Sequence, residues 1–84
     1  MANTEGRKTV EYYMREALIE AEKAQTHGDI PVGAVIVRDG DIIARGHNRR
    51  EEQQSAILHA EIVAIQEACR VLGSWRLRDC DLYV

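Results

Sequence analysis

The sequence predicts an α/β fold, a mixed sheet with helices packed against it, in the order helix, strand, strand, helix, strand. Three observations carry this. Residues 10–26 and 59–72 repeat apolar side chains at spacings of three and four, the period of a helix with one buried face. Residues 32–37 (VGAVIV) form a continuous, β-branched apolar run, as in a strand covered on both sides. Asp39-Gly40 then separates that run from Ile42, Ile43 and Ala44, a hairpin signal because glycine accepts the positive φ of a tight turn.

Taken in order, residues 1–8 (MANTEGRK) read as a disordered tail. Thr9 is a suitable N-cap, and Glu11 places a carboxylate in the positively polarised first turn. Tyr13, Ala17, Leu18, Ala21 and Ala24 make the expected apolar stripe; Gly28 stops the helix and Pro31 prevents a restart. Residues 46–58, with Arg49, Arg50, Glu51 and Glu52, read as a surface loop. In the second helix Ile62, Ile65, Cys69 and Leu72 share one face, and Gly73 is placed to cap it. A connector covers 74–81, where Trp75 is expected to shield the edge between helix and sheet. Leu82, Tyr83 and Val84 open a third strand. A strand left without a cover invites pairing with another chain. The open strand is a first hint of truncation, and residues 9–84 are expected to associate when alone.

Composition narrows the function classes. The 84 residues carry 14 acidic and 11 basic side chains, a net charge of −3, which gives no global basic field for nucleic acid. Two cysteines do not make a disulfide scaffold, and a reducing, cytoplasmic setting fits them better. No apolar run approaches the length of a membrane span, so no membrane partner is expected.

The one chemically suggestive constellation is His59-Ala60-Glu61 at the start of the second helix. Side chains two apart on a helix diverge by about 200°, so they cannot share a metal as an i, i+4 pair does. In the first turn both can nevertheless approach something lying beyond the helix end. There a neutral imidazole can ligate zinc and a carboxylate can move a proton. Taken alone, H-x-E equally suits a solvated His and Glu on a surface helix. Cys69 and Cys80 lack the short C-x₂₋₄-C spacing of a structural zinc site.

The wider frame adds specificity. Pro31-Val32-Gly33-Ala34-Val35 opens the first strand and Gly46-His47-Asn48 closes the second. His59-Ala60-Glu61 opens the next helix, and Leu72-Gly73-Ser74-Trp75-Arg76-Leu77 leads into Leu82-Tyr83-Val84. In this order and spacing the chain resembles the zinc-dependent cytidine deaminase-like superfamily from about Tyr12 onward, and within it the bacterial tRNA-specific adenosine deaminases. The resemblance implies an α/β/α sandwich truncated after its third strand, with the third strand paired to the first. It implies Zn²⁺ held by His59, Glu61 as the catalytic proton carrier, and Asn48, Ile30, Val32 and Ala60 around the base, the Ala60 N–H facing the reacting centre. It further implies a tRNA anticodon stem-loop as substrate, deaminated from adenosine to inosine at the wobble position, and a homodimer. Arg49 and Arg50 are then placed to meet a flanking phosphate, although Glu51 and Glu52 beside them equally suit a solvated face. The family's P-C-x-x-C, which brings the two cysteine ligands, is not in this sequence. The 84 residues alone are therefore expected to be inactive. A guanine or other free-base deaminase, and a non-catalytic dimerisation or RNA-binding fragment, remain the alternatives.

Overall fold

The computed structural model describes residues 9–49 and 59–84. The expected tail at 1–8, most of the 46–58 loop and Arg50 lie outside the described residues. Five elements follow in the predicted order: α1 Val10–Thr26, β1 Gly33–Arg38, β2 Asp41–His47, α2 Ala60–Leu72 and β3 Cys80–Tyr83.

Helix α1 begins as its sequence dictates: the Thr9 hydroxyl accepts from the Tyr12 N–H, satisfying one of the donors a helix start leaves open. Asp39 and Gly40 both take positive φ, 53° and 82°, and turn β1 directly into β2. The hairpin pairs Gly33 with His47 at one end and Arg38 with Asp41 at the other, with one irregularity between Ile36 and Val37. There Ile36 faces Ala44 and Val37 faces Ile42, which leaves Ile43 as the extra residue of a bulge.

The strands lie in the order β2-β1-β3, and both pairings are antiparallel. Where a mixed sheet is expected, the described strands are all antiparallel neighbours: the crossover through α2 does give β2 and β3 the same direction, but β1 lies between them, so no parallel pair forms among the described residues.

Side chains of β1 alternate between two cores, as a strand buried on both faces requires. Val35 and Val37 join Tyr13 of α1 on one side. Ala34 and Ile36 join Ala44 and the Ala60, Ala64 and Ala68 stripe of α2 on the other. The result is three layers, α1, sheet and α2.

Several finer expectations change. Leu18 is 62% exposed, and its assigned place in the α1 stripe belongs to Glu20, which is 3% exposed. In α2 the buried positions are Ala60, Ala64 and Ala68 in place of the larger apolar residues; Ile62 is exposed, and Ile65, Cys69 and Leu72 are half-buried. Close approach is the reason. A Cβ on Gly46 would stand 2.5 Å from both Ala60 O and Ala64 N, so the helix backbone rests on the strand and only alanine fits between. Trp75 is 76% exposed and carries the Arg76 guanidinium 4.5 Å from its ring centroid, so it does not shield the helix–sheet edge. Strand β3 starts two residues earlier than expected, at Cys80, and stops at Tyr83.

Candidate active site

The N-terminus of α2, the end of β2 and the loop leading into β1 meet at one edge of the sheet, and Asn48 joins them. Its side-chain carbonyl accepts the Ala60 N–H at 2.8 Å, and its amide donates to Ile30 O at 3.2 Å. Its own backbone N–H reaches Val32 O at 3.1 Å. Asn48 is 4% exposed; its bond with Ala60 is buried and its bond to Ile30 partly so, so leaving the amide unpartnered there would be costly. An amide is the side chain this place needs, because it both donates and accepts.

His59 is the residue immediately before α2, in extended conformation, and its side chain makes no capping bond. Its carbonyl accepts the Val63 N–H, which starts the helix, and its exposed ring stands outside the first turn. Glu61 lies half-buried in that turn. Ile30 is 63% exposed and Val32 is half-buried against the α2-side core. The structure thus brings Ile30, Val32, Asn48, His59, Ala60 and Glu61 to one end of the sheet. The Ala60 N–H is engaged by Asn48, so it does not face a reacting centre in this structure. Arg49 follows Asn48 and is half-buried.

A zinc ion needs three or four ligands from a protein. Among the described residues no three His, Cys, Asp or Glu side chains gather in a way that could hold one. Cys69 lies in α2 and Cys80 at the start of β3. The residues present therefore offer His59 as one ligand and do not complete a metal site.

Sequence reasoning missed a second polar cluster behind the first. Glu20 of α1, buried among alanines, accepts from Lys23 Nζ at 2.8 Å and Arg45 at 3.4 Å. His47 Nδ1 lies 3.1 Å from its other oxygen; a carboxylate only accepts, so that nitrogen carries the proton. Arg45 also binds Glu16 at 2.5 Å. Burial disfavours the Glu20 carboxylate, but the bonds from Lys23, His47 and Arg45 outweigh it and hold its pKa below the ordinary value. The cluster fixes the last residues of β2 to α1 immediately before Asn48. Two signals pointed to it: Glu20 falls on the stripe with Tyr13, Ala17 and Ala24, and Arg45 and His47 share one side of a strand.

Comparison with known proteins identifies the family and the fold. Residues 7–84 match the cytidine and deoxycytidylate deaminase zinc-binding region. The chain belongs to that family. It is 55% identical over 74 residues to the tRNA-specific adenosine deaminase of Bacillus subtilis, covering 88% of this chain and 46% of that protein. It is 58% identical over 73 residues to the protein of the same name from Streptococcus pyogenes serotype M18, covering 87% and 46%. The chain spans about half the length of these relatives. A solved structure from work on A-to-I editing by tRNA:A34 deaminases superposes with a TM-score of 0.83 at 45% identity, covering 87% of this chain and 56% of that one. A guanine deaminase from Bacillus subtilis superposes with a TM-score of 0.86 at 42% identity, covering 90% and 49%. The expected deaminase fold, with helices on both faces of the sheet, is therefore the fold found.

Proposed function

We propose that the native protein carrying this chain deaminates adenosine to inosine at the wobble position of tRNA, and that this stretch supplies its base-binding wall. The observation that carries the reading is the Asn48 bridge, which ties the Ile30–Val32 loop to the helix start bearing His59 and Glu61. The relatives named as tRNA-specific adenosine deaminases support the choice of substrate.

In this reading Ile30 and Val32 flank the base. Asn48, held on two sides, presents its remaining amide hydrogen and lone pair to the base edge. Ala60, buried behind Asn48, contributes by anchoring that amide through its backbone N–H. The reaction exchanges an exocyclic amine for oxygen, consuming one water and releasing ammonia. Glu61 carries one proton from the attacking water to the ring nitrogen, then a second, from the hydroxyl of the resulting tetrahedral adduct, to the amine, which leaves as ammonia as the C=O bond forms. His59 would be one ligand of the zinc that the family's description implies. Arg49 and Arg50 meet phosphates flanking the flipped nucleotide. A cytoplasmic setting and a homodimer belong to the same proposal. No helix among the described residues is long and apolar enough to cross a membrane.

The test is to assay the native polypeptide that carries this sequence on anticodon stem-loop RNA with adenosine at the wobble position, and on guanine. Inosine in the RNA is expected, with Glu61→Gln lowering kcat by about 10²- to 10⁴-fold while RNA binding persists. Ammonia from guanine with no change in the RNA would overturn the reading in favour of a free-base deaminase, which the guanine deaminase likeness supports.

A further inference from the structure

At the end of the sheet opposite the Asn48 bridge, five steps along β1 and so about 17 Å away, lies a cavity of about 350 Å³ lined by Arg38, Leu72, Ser74, Arg76 and Arg78. It sits where the end of β1 and the last turn of α2 meet the approach to β3. Three of its five lining residues are arginines and none is acidic, in a chain whose net charge is −3. Asp39, Asp41, Asp79 and Asp81 occupy the neighbouring turns and strand ends. Even so, none of the three guanidinium groups forms an ion pair among the described residues. Arg38 Nε is buried with no hydrogen-bond partner. A buried donor left unmatched costs free energy unless something accepts from it.

The end of α2 does not account for these charges. Cations do favour a helix C-terminus, but backbone groups already meet carbonyls there: the Gly73 N–H donates to Arg70 O and the Ser74 N–H to Cys69 O. The Ser74 hydroxyl oxygen accepts the Arg76 N–H, which leaves its own hydrogen available to donate. Every polar side chain lining the cavity can donate, and the guanidinium fork matches two oxygens of one phosphorus at once.

We propose that this cavity binds phosphate groups, as a second anion site remote from the base pocket. The ligand is either a small polyphosphate or the backbone of a bound RNA; both offer the same oxygens. The pyrophosphate arm does not depend on the deaminase reading, whereas the RNA arm takes its probe from it; both read binding alone. The native polypeptide and its R38Q/R76Q/R78Q variant are compared in two titrations, with circular dichroism confirming an unchanged fold. Because Arg38 is half-buried, R76Q/R78Q is made as well; both of its positions are exposed and tolerate the change. Inorganic pyrophosphate at low salt is expected to bind the native protein and to weaken at least tenfold in either variant if the ligand is small. If the ligand is RNA, the slope of log K against log salt for anticodon stem-loop RNA is expected to flatten by about two units in the triple variant and about one and a half in the double. No pyrophosphate binding together with an unchanged salt slope in both variants would overturn the proposal.

Discussion

On one face of the sheet α1 presents Tyr13 and the ion-paired Glu20; on the other, α2 presents Ala60, Ala64 and Ala68. Yet both helices come equally near. A Cβ on Gly33 would stand 2.1 Å from Ala17 O and 2.4 Å from Ala21 N, much as one on Gly46 would meet Ala60 O and Ala64 N. The two faces thus share a glycine–alanine contact at the site end of the sheet and differ in what surrounds it. On the α1 side the contact is bordered by the Glu20 cluster and, further along, by the tyrosines. On the α2 side it is bordered by aliphatic packing alone, with Asn48 as the polar tie to the helix start. The comparison suggests that backbone approach sets helix position, while polar ties choose the angle and register.

The largest effect expected follows from the shared contact. Gly33→Ala should cost about 3 kcal/mol or prevent folding, because the new methyl meets backbone that cannot rotate away. Gly46→Ala, with slightly more room, should cost about 2 kcal/mol. Urea unfolding of the native polypeptide measures both. If either substitution were neutral, close approach would not be what fixes that helix, and the comparison would fail on that face.

A smaller effect tests the polar side of the contrast. Glu20→Ala leaves His47, Arg45 and Lys23 without their shared acceptor and should cost about 2 kcal/mol. That is less than a fully buried pair would lose, since Arg45 and Lys23 reach solvent. The pH dependence has a definite sign. The Glu20 pKa is lowered by folding, so its contribution is complete above the ordinary carboxylate value near 4.5 and is lost as pH falls through the lower folded value. Glu20→Gln should therefore flatten the acid limb of Tm against pH and leave the curve's shape above pH 5 unchanged. An unchanged acid limb would mean that the cluster does not hold its charge as described.

The same contrast explains what could be read in advance. Helix and strand order, the Thr9 cap, the Asp39-Gly40 turn and the twice-buried β1 follow from local chemistry, and local chemistry is written in the sequence. His59, Glu61 and Asn48 were singled out through the family resemblance, and the structure brings them to one end of the sheet. Which face of α2 is buried was not legible. Apolar periodicity favours Ile62 and Leu72 over alanine, and only the Gly46 contact, fourteen residues before the helix start, reverses that preference. Glu20 was passed over for the same kind of reason: its partners Arg45 and His47 lie more than twenty residues away. Antiparallel pairing of β3 likewise depends on which edge of β1 is free after the hairpin forms.

The smallest effect distinguishes rings from hydrogen bonds on the α1 face. Tyr13 donates its hydroxyl to Gly40 O at 2.7 Å, tying the first turn of α1 to the hairpin turn, and its ring lies 5.0 Å from that of Tyr83. Tyr13→Phe keeps the ring and removes the bond. Gly40 sits in a half-buried turn where water can replace the lost donor, so the cost should be about 0.5–1 kcal/mol. Tyr13→Leu removes the ring contacts with Tyr12 and Tyr83 as well and should cost about 1 kcal/mol more than the Phe variant. Equal losses for Phe and Leu would show that the face is held by its polar ties alone, with the tyrosine rings acting as filling. A loss for Leu only would reverse that assignment. The graded series expected here requires both, and it would place Tyr13 beside Glu20 as a second polar tie between α1 and the hairpin.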